Sequence, residues 1–244
     1  MNSSSNPFAR SILLLGEEKI QYLNKTHIAI VGLGGVGSYT VEALTRAGVG
    51  KLTIIDYAKI TGSNLNRQLY ALNSTIGENK VDVAKMRIND INPKCTIFGI
   101  IEKISNENIF SLGLQECDAL IDCIDDINAK VQLLKFALES KIPVITSVMG
   151  ASTRMDGSKV QACDILNTTH CPLSKKLRKL LKNEGIETGI TAIYSTEKPA
   201  NKNMRMSLMG SFSCLPGIFG LRAAQETLTK LLTLKYAETI VKEY

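Results

Sequence analysis

One short stretch, residues 28–48 (IAIVGLGGVGSYTVEALTRAG), constrains the fold more than any other part of this chain. The apolar run His27–Val31 predicts a strand, and it stops at a glycine-rich loop. The segment after the loop, Ser38–Ala47, has apolar residues at helical spacing. A strand, a glycine turn and a helix in that order are typical of the first unit of a parallel α/β sheet.

The glycines of this loop predict a nucleotide-binding turn. They match the pattern G-x-G-x-x-G at Gly32, Gly34 and Gly37, with Gly35 as an additional glycine. Gly32 can take the tight turn, Gly34 lets the backbone approach a phosphate, and Gly37 lets the helix pack close to the strand. The helix N-terminus offers N–H groups and a partial positive charge to an anion. The alternative is that the glycines serve only the turn and its packing.

Strand and helix patterns alternate beyond this unit. Further strands are predicted at Lys51–Tyr57, Cys95–Ile101, Cys117–Cys123 and Pro143–Met149, with helices at Val81–Asn92 and Asn128–Ser140. After residue 151 we expect antiparallel strands at Lys159–Ile165 and Thr191–Ser195 and a closing helix near Leu221–Ala237. The fold expected is a Rossmann-like, doubly wound, mostly parallel sheet continued by antiparallel strands and C-terminal helices. We expect one domain over residues 1–244, with a nucleotide-binding half (1–150) and a substrate-side half (151–244).

Composition limits the classes of function. The chain has two histidines, too few for a metal cluster, and none of its six cysteines forms a C-x-x-C pair, which argues against a zinc ribbon. Scattered cysteines predict reduced thiols and a cytoplasmic location. The longest apolar stretch, around Phe212–Leu221, contains a proline and glycines, so we expect a soluble protein without a membrane segment. The net charge of +6 permits an anionic partner such as a nucleic acid.

Four side chains near predicted strand ends indicate which nucleotide is bound. Asp56, at the end of the second strand, is placed to bind ribose hydroxyls. Arg67 in TGSNLNRQ, Lys80 in GENKVDVAKMR and Asp125 in DALIDCIDD should also lie at or beside the carboxyl edge of the sheet. A triphosphate carries roughly twice the charge of the two phosphates of NAD, and it needs cations and a metal around it. The alternative interpretation makes Arg67, Lys80 and Asp125 ordinary surface charges.

The motifs GLGGVGSYTVEALTRAGVG, IID, SNLNRQ, GENK and DCIDD occur in the order and spacing of one family. The chain resembles the ThiF/MoeB/HesA superfamily of adenylating enzymes, which are related to the ubiquitin-activating enzyme and attach AMP to a carboxylate. The resemblance implies ATP and Mg²⁺ as cofactors. It implies a ribose contact from Asp56, phosphate contacts from Asn64, Arg67 and Lys80, and a metal contact from Asp125. Arg10, in FARSILLLGEE, matches an arginine that reaches the partner subunit's ATP in homodimers. The family's D-x-D motif is incomplete here, because Ala58 stands in the second position.

Further motifs resemble the branch that acts on threonylcarbamoyladenosine in tRNA. They are FARSILLLGEE, GGVGSY, IDDINAKVQLLKFALESKIPVITSVMGA, CPLSKKLRKLL and IYSTEKP. The resemblance implies that the threonyl carboxylate is adenylated and that the side chain then closes into a ring, with no protein nucleophile required. Cys171 stands where that branch usually has aspartate, and we expect Cys171 and Cys214 to be exposed.

Two other functions remain open from the sequence. One is adenylation of a ubiquitin-like sulfur-carrier protein, although the paired C-x-x-C zinc site of such activators is absent. The other is an NAD-dependent oxidoreductase; a non-catalytic interaction protein would leave Arg67, Lys80 and Asp125 unexplained.

Candidate partners follow from the resemblance and the charge pattern. A tRNA could bind a basic helix at 175–182 or the polar loop at 195–207; the basic residues are Lys175, Lys176, Arg178, Lys179, Lys182, Lys198, Lys202 and Arg205. The alternative for the helix is a solvated face over a leucine stripe. A homodimer, a monovalent cation and sulfurtransferase-type accessory proteins are further expectations from the resemblance.

Overall fold

A computed structural model describes residues 6–199 and 210–240, and the side chains of this range up to residue 237. The strands within it are β1 His27–Val31, β2 Lys51–Ile55, β3 Thr96–Ile100, β4 Ala119–Asp122, β5 Val144–Val148, β6 Val160–Asp164 and β7 Thr191–Ser195. They form one sheet in the order β3-β2-β1-β4-β5-β7-β6. All neighbours are parallel except β6 and β7. The expected doubly wound, mostly parallel sheet with an antiparallel continuation is confirmed.

The helices are α1 Ala9–Leu15, α2 Glu17–Leu23, α3 Gly37–Arg46, α4 Lys80–Ile91, α5 Ile127–Glu139, α6 Pro172–Asn183 and α7 Cys214–Ile240. Helices α3, α4 and α7 pack on one face of the sheet, and α5 and α6 pack on the other. In the described residues no helix is both long and apolar enough to span a membrane.

One helix boundary differs from the sequence prediction, because α7 begins at Cys214 and not near Leu221. The segment before Leu221 contains Gly217 and Gly220, and glycine has a low helix propensity. In the structure these glycines allow close packing on α3: a Cβ on Gly220 would lie 2.4 Å from the carbonyl oxygen of Val36. This close packing outweighs the low helix propensity of glycine.

Alternating side chains of β1 explain how the sheet buries both faces. Ile28 and Ile30 belong to the core beneath α3, α4 and α7, whereas Ala29 and Val31 belong to the core beneath α5 and α6. Successive side chains of a strand point to opposite faces, so a strand covered on both faces is a continuous apolar run.

The topology places a crevice at one edge of the sheet. From β1 the chain proceeds outward through β2 and β3, and it then returns to the other side of β1 with β4 and β5. The strand order therefore reverses between β1 and β4. In open α/β sheets, ligands bind outside the carboxyl ends of the strands at such a reversal.

Candidate nucleotide-binding site

A cleft of about 340 Å³ opens at the carboxyl edge of the sheet, where the topology predicts a ligand site. Seven of the residues predicted from the sequence line it: Gly32, Gly34, Gly35, Asp56, Arg67, Lys80 and Asp125. Gly37, Asn64 and Arg10 are not among the lining residues. The structure therefore gathers most of the predicted site in one place.

The glycines of the loop divide into two structural roles. Gly32 has a φ of +93°, and a Cβ there would lie 2.8 Å from the carbonyl oxygen of Cys123. A Cβ on Gly37 would lie 1.8 Å from the carbonyl oxygen of Gly32. A Cβ on Gly34, by contrast, would meet nothing closer than the Gln68 side chain at 3.9 Å. Gly32 and Gly37 therefore close the turn, and Gly34 leaves room for a ligand at the uncapped N-terminus of α3.

Asp56 is held by backbone N–H groups at the end of β2. Its Oδ2 accepts a hydrogen bond from the N–H of Leu33 at 2.7 Å, and its Oδ1 accepts one from the N–H of Ala58 at 2.8 Å. Ala58, which stands in the second position of the D-x-D motif, thus contacts Asp56 through its backbone N–H. This bond does not depend on the side chain at that position, so alanine retains it. Each carboxylate oxygen has further lone pairs, which suits a ribose diol.

Lys80 supplies a buried cation to the cleft. The side chain starts α4, the residue is 8% exposed, and Nζ lies 3.5 Å from Oδ2 of Asp56. Lys80 and Asp56 line the same cleft as the glycine loop. A cation at this point can neutralise a phosphate.

The loop after β2 positions Arg67. Its Nη1 donates to the carbonyl oxygen of Ser63 and to Oδ1 of Asn66, both at 2.9 Å. Asn64 is buried in the same loop, where its Oδ1 accepts a hydrogen bond from the N–H of Thr61 at 3.2 Å. Asn64 thus shapes the loop that presents Arg67, and its contact with a phosphate stays a prediction.

Asp125 lies on an exposed turn between β4 and α5. The next residue, Asp126, caps α5 by accepting hydrogen bonds from the N–H groups of Asn128 at 3.0 Å and Ala129 at 3.2 Å. The bond from Ala129 is the main cause of a lowered pKa of the Asp126 carboxyl, and Lys103 at 3.3 Å adds to it. Asp126 also lines the cleft, but both of its oxygens have partners, Oδ1 in the helix cap and Oδ2 with Lys103, which leaves Asp125 as the carboxylate of this turn available to a ligand.

The donor set suits a metal that arrives with a phosphate. No cluster of three or more metal-ligating side chains occurs among residues 6–199 and 210–240. Mg²⁺ is commonly held by one or two carboxylates together with substrate phosphates. Asp125 is a carboxylate in the same cleft as the glycine loop, so it could take part in such a site if a phosphate binds there.

Several side chains at this edge were not predicted from the sequence. Lys103 and Cys123 line the cleft, and burial raises the pKa of the Cys123 thiol to about 12. Asp122 and Lys130 form an ion pair of 2.6 Å beneath the cleft, with neither side chain exposed. The available signal was a lysine at an inward position of a predicted helix, since lysine is almost never fully buried without a partner.

The basic helix α6 begins at the cleft. Leu173, in its first turn, lines the cleft, and Leu177 and Leu181 are buried in the core. Exposed lysines cover its outer side: Lys175, Lys176, Lys179 and Lys182. Arg178 differs from the expectation, because its guanidinium donates to the carbonyl oxygen of Thr168 at 2.7 Å and is only partly exposed.

The other substrate-side predictions have mixed outcomes. The expectation that Cys171 is exposed is wrong, because the residue is 4% exposed where the chain enters α6; Cys214 is exposed as expected. Lys198 is exposed. Lys202 and Arg205 lie outside the described residues.

Arg10 is exposed on α1 and does not line the cleft of its own chain. Helix α1 buries none of its residues, and Leu13 and Leu14 are each 83% exposed. A contact between Arg10 and a nucleotide would therefore have to occur at another copy's cleft.

Fold and cleft together define a nucleotide-binding α/β protein with side chains for a charged polyphosphate. The chain belongs to the ThiF family, whose model matches residues 8–243. It is 40% identical over 195 residues to the tRNA threonylcarbamoyladenosine dehydratase of Bacillus subtilis, covering 79% of this chain and 75% of the relative. Its fold superposes with a TM-score of 0.90 on the Escherichia coli tRNA N6-threonylcarbamoyladenosine dehydratase in complex with ATP, at 29% identity over 97% of this chain and 98% of the other.

A second kind of relative is more distant. The molybdopterin-synthase adenylyltransferase of Haemophilus influenzae is 31% identical over 186 residues, which cover 75% of this chain and 72% of the relative.

Proposed function

We propose that this protein is an ATP-dependent tRNA threonylcarbamoyladenosine dehydratase that forms the cyclic nucleoside through an acyl-adenylate. The observation that carries the proposal is one cleft that combines the glycine loop with Asp56, Arg67, Lys80 and Asp125. It occurs in a chain that is 40% identical to such a dehydratase.

The residues of the cleft account for the first step. An oxygen of the threonyl carboxylate attacks the α-phosphorus of ATP, and the bond to the leaving pyrophosphate breaks. Arg67 and Lys80 stabilise the negative charge on the phosphates, and a preorganised cation is worth more in a water-poor cleft than in bulk water. Asp56 would hold the ribose. Bound Mg²⁺ would offset phosphate charge, and Asp125 would hold it.

The second step needs no protein nucleophile. A nitrogen or oxygen of the same side chain attacks the acyl carbon, AMP leaves, and the net result is loss of one water from the nucleoside. Proximity within a single side chain provides much of the rate. Cys123 lines the cleft, but burial raises the pKa of its thiol to about 12, so it is protonated at neutral pH and is a poor nucleophile.

We expect Cys171→Ala and Cys214→Ala each to retain cyclic product formation within about twofold of wild type, the range of a substitution without a special role. Cys171 is buried, and Cys214 is exposed and outside the cleft lining. Single-turnover assays that follow both acyl-AMP and product provide the measurement. A variant that accumulates acyl-AMP without forming product would show that its cysteine is required.

The same site could adenylate a ubiquitin-like sulfur carrier, the function that the molybdopterin-synthase adenylyltransferase relative favours. ATP–pyrophosphate exchange distinguishes the two substrates. We expect exchange to depend on tRNA that carries threonylcarbamoyladenosine, and exchange that requires a protein ending in Gly-Gly would replace our proposal with the alternative.

We propose that tRNA binding is mainly electrostatic and involves α6. Its exposed lysines extend from a first turn that lines the cleft. The substrate adenosine belongs to a single-stranded loop, so its base can enter the cleft while lysines contact the backbone.

Charge reversal on α6 tests this surface. We expect Lys175→Glu with Lys179→Glu to raise the KM for tRNA and to lower the salt slope by roughly one unit for each phosphate that the protein no longer neutralises. The KM for ATP should be unchanged, because neither lysine lines the cleft. Lys51→Glu with Lys94→Glu is the matched control, since both lysines are exposed at the amino ends of β2 and β3, away from the carboxyl edge that forms the cleft. Equal tRNA affinity in the α6 variant and the control would show that the lysines of α6 form only a solvated face and do not bind tRNA.

We further propose a homodimer in which Arg10 acts on the partner's ATP. The support is the exposed apolar surface of α1 at Leu13 and Leu14, next to an arginine outside its own cleft. Arg10→Ala and Asp125→Ala should each be nearly inactive alone, and mixing them should restore activity. In a mixed dimer, one cleft then has both intact side chains; no restoration after subunit exchange would contradict the arrangement.

The cytoplasmic location, monovalent cation and accessory proteins stay predictions from the resemblance.

A further inference from the structure

A fully buried lysine lies beneath the turn that carries Asp125. Nζ of Lys130 donates to Oδ2 of Asp122 at 2.6 Å and to the carbonyl oxygen of Val148 at 3.0 Å, and it lies 3.4 Å from Oγ of Ser147. An ammonium has three donors, so each one has a partner here. Ser147 also donates to Oδ2 of Asp122 at 2.6 Å.

This ion pair is expected to contribute little to the free energy of unfolding. Both side chains are completely buried, and desolvation of two charges offsets most of their attraction. Apolar residues of similar size often replace such a pair without loss of stability. Its position is more informative: the pair joins the carboxyl ends of β4 and β5, which form neighbouring walls of the cleft.

Asp122 of this ion pair also holds the turn at residues 123–126. Oδ1 of Asp122 accepts a hydrogen bond from the N–H of Ile124 at 3.0 Å. At the start of the turn, the backbone carbonyl of Cys123 packs against Gly32. A Cβ on Gly32 would lie 2.8 Å from that carbonyl oxygen. At the far end, Asp126 caps α5. The turn is therefore held at three points, and Asp125 is its exposed member.

We infer that Lys130 is a positioning residue: through Asp122 it sets the turn that directs the Asp125 carboxylate toward the metal. This inference rests on the proposed metal contact of Asp125. Outer-shell partners that orient a metal-binding side chain typically affect metal affinity or activity when they are removed.

The test replaces the pair by apolar residues, Lys130→Met with Asp122→Leu, so that no unpaired charge stays buried. The readouts are Mn²⁺ binding to the enzyme with ATP, followed by electron paramagnetic resonance, and hydrogen exchange of the peptide that contains 123–126. We expect Mn²⁺ affinity to fall about ten- to a hundredfold and exchange to accelerate in this turn alone. Lys135→Met is the matched control on α5, because it breaks an exposed ion pair with Glu184, also of 2.6 Å.

Wild-type Mn²⁺ affinity and wild-type exchange in the folded double variant would overturn the inference. So would exchange that accelerates throughout β1, β4 and β5, which would make the pair merely structural. If the double variant does not fold, Asp122→Asn is judged by the same readouts and the same two outcomes. If wild-type enzyme with ATP binds no Mn²⁺, the proposed metal site is wrong, while exchange in the turn still decides whether Lys130 positions it.

Discussion

Asp125→Ala is expected to lower the rate of AMP transfer on the order of a hundredfold or more, with the fold intact. Removal of a metal ligand that stabilises phosphoryl charge costs roughly 3 kcal/mol in the barrier. The fold should be preserved because Asp125 is exposed, whereas its neighbours Asp122 and Asp126 hold the turn. The measurement is tRNA-dependent ATP–pyrophosphate exchange over a range of Mg²⁺ concentrations, together with the melting temperature.

A control shows whether the effect is specific to this carboxylate. Glu139→Gln removes an exposed negative charge at the other end of α5, outside the cleft lining, and should leave the exchange rate unchanged. Near-normal turnover of Asp125→Ala at saturating Mg²⁺ would mean that the metal is held elsewhere.

Gly37→Ala should lower the free energy of unfolding by about 3 kcal/mol. The added Cβ would lie 1.8 Å from the carbonyl oxygen of Gly32, and a backbone atom cannot move aside as a flexible side chain can. The turn must therefore open, and ATP binding should be abolished with it. Chemical denaturation and ATP titration measure the two effects.

Gly34→Ala is the matched control within the same loop. Its Cβ would meet nothing closer than 3.9 Å, so the free energy of unfolding should be unchanged or higher by up to about 1 kcal/mol. The methyl group would still occupy the path of a phosphate, and we expect a higher KM for ATP. Equal stability of the two alanine variants would contradict the roles assigned to these glycines.

Local patterns predicted the glycine loop and the strand ends well. The conformation of the loop is determined by the backbone of six consecutive residues, 32–37. The glycines at both ends of this segment, Gly32 and Gly37, are visible in the sequence. Asp56, Lys80 and Asp125 could be placed because the carboxyl ends of parallel strands share one edge. The structure brings all of them to one cleft.

The failures concern interactions between distant segments. The start of α7 depends on how Gly220 packs on α3, which the helix's own sequence does not show. The burial of Cys171 and the bond from Arg178 to Thr168 follow from how α6 docks. Lys130 occupies an inward position of a predicted helix, but its partner Asp122 on β4 is identified only by how α5 packs on the sheet.

The most direct test of the proposed function is mass analysis of nucleosides after purified enzyme acts on tRNA containing threonylcarbamoyladenosine, with ATP and Mg²⁺. We predict that the modified nucleoside loses the mass of one water, with one AMP and one pyrophosphate formed per nucleoside, and that omission of ATP prevents the change. An unchanged nucleoside, with AMP transferred instead to a carrier protein ending in Gly-Gly, would contradict the account.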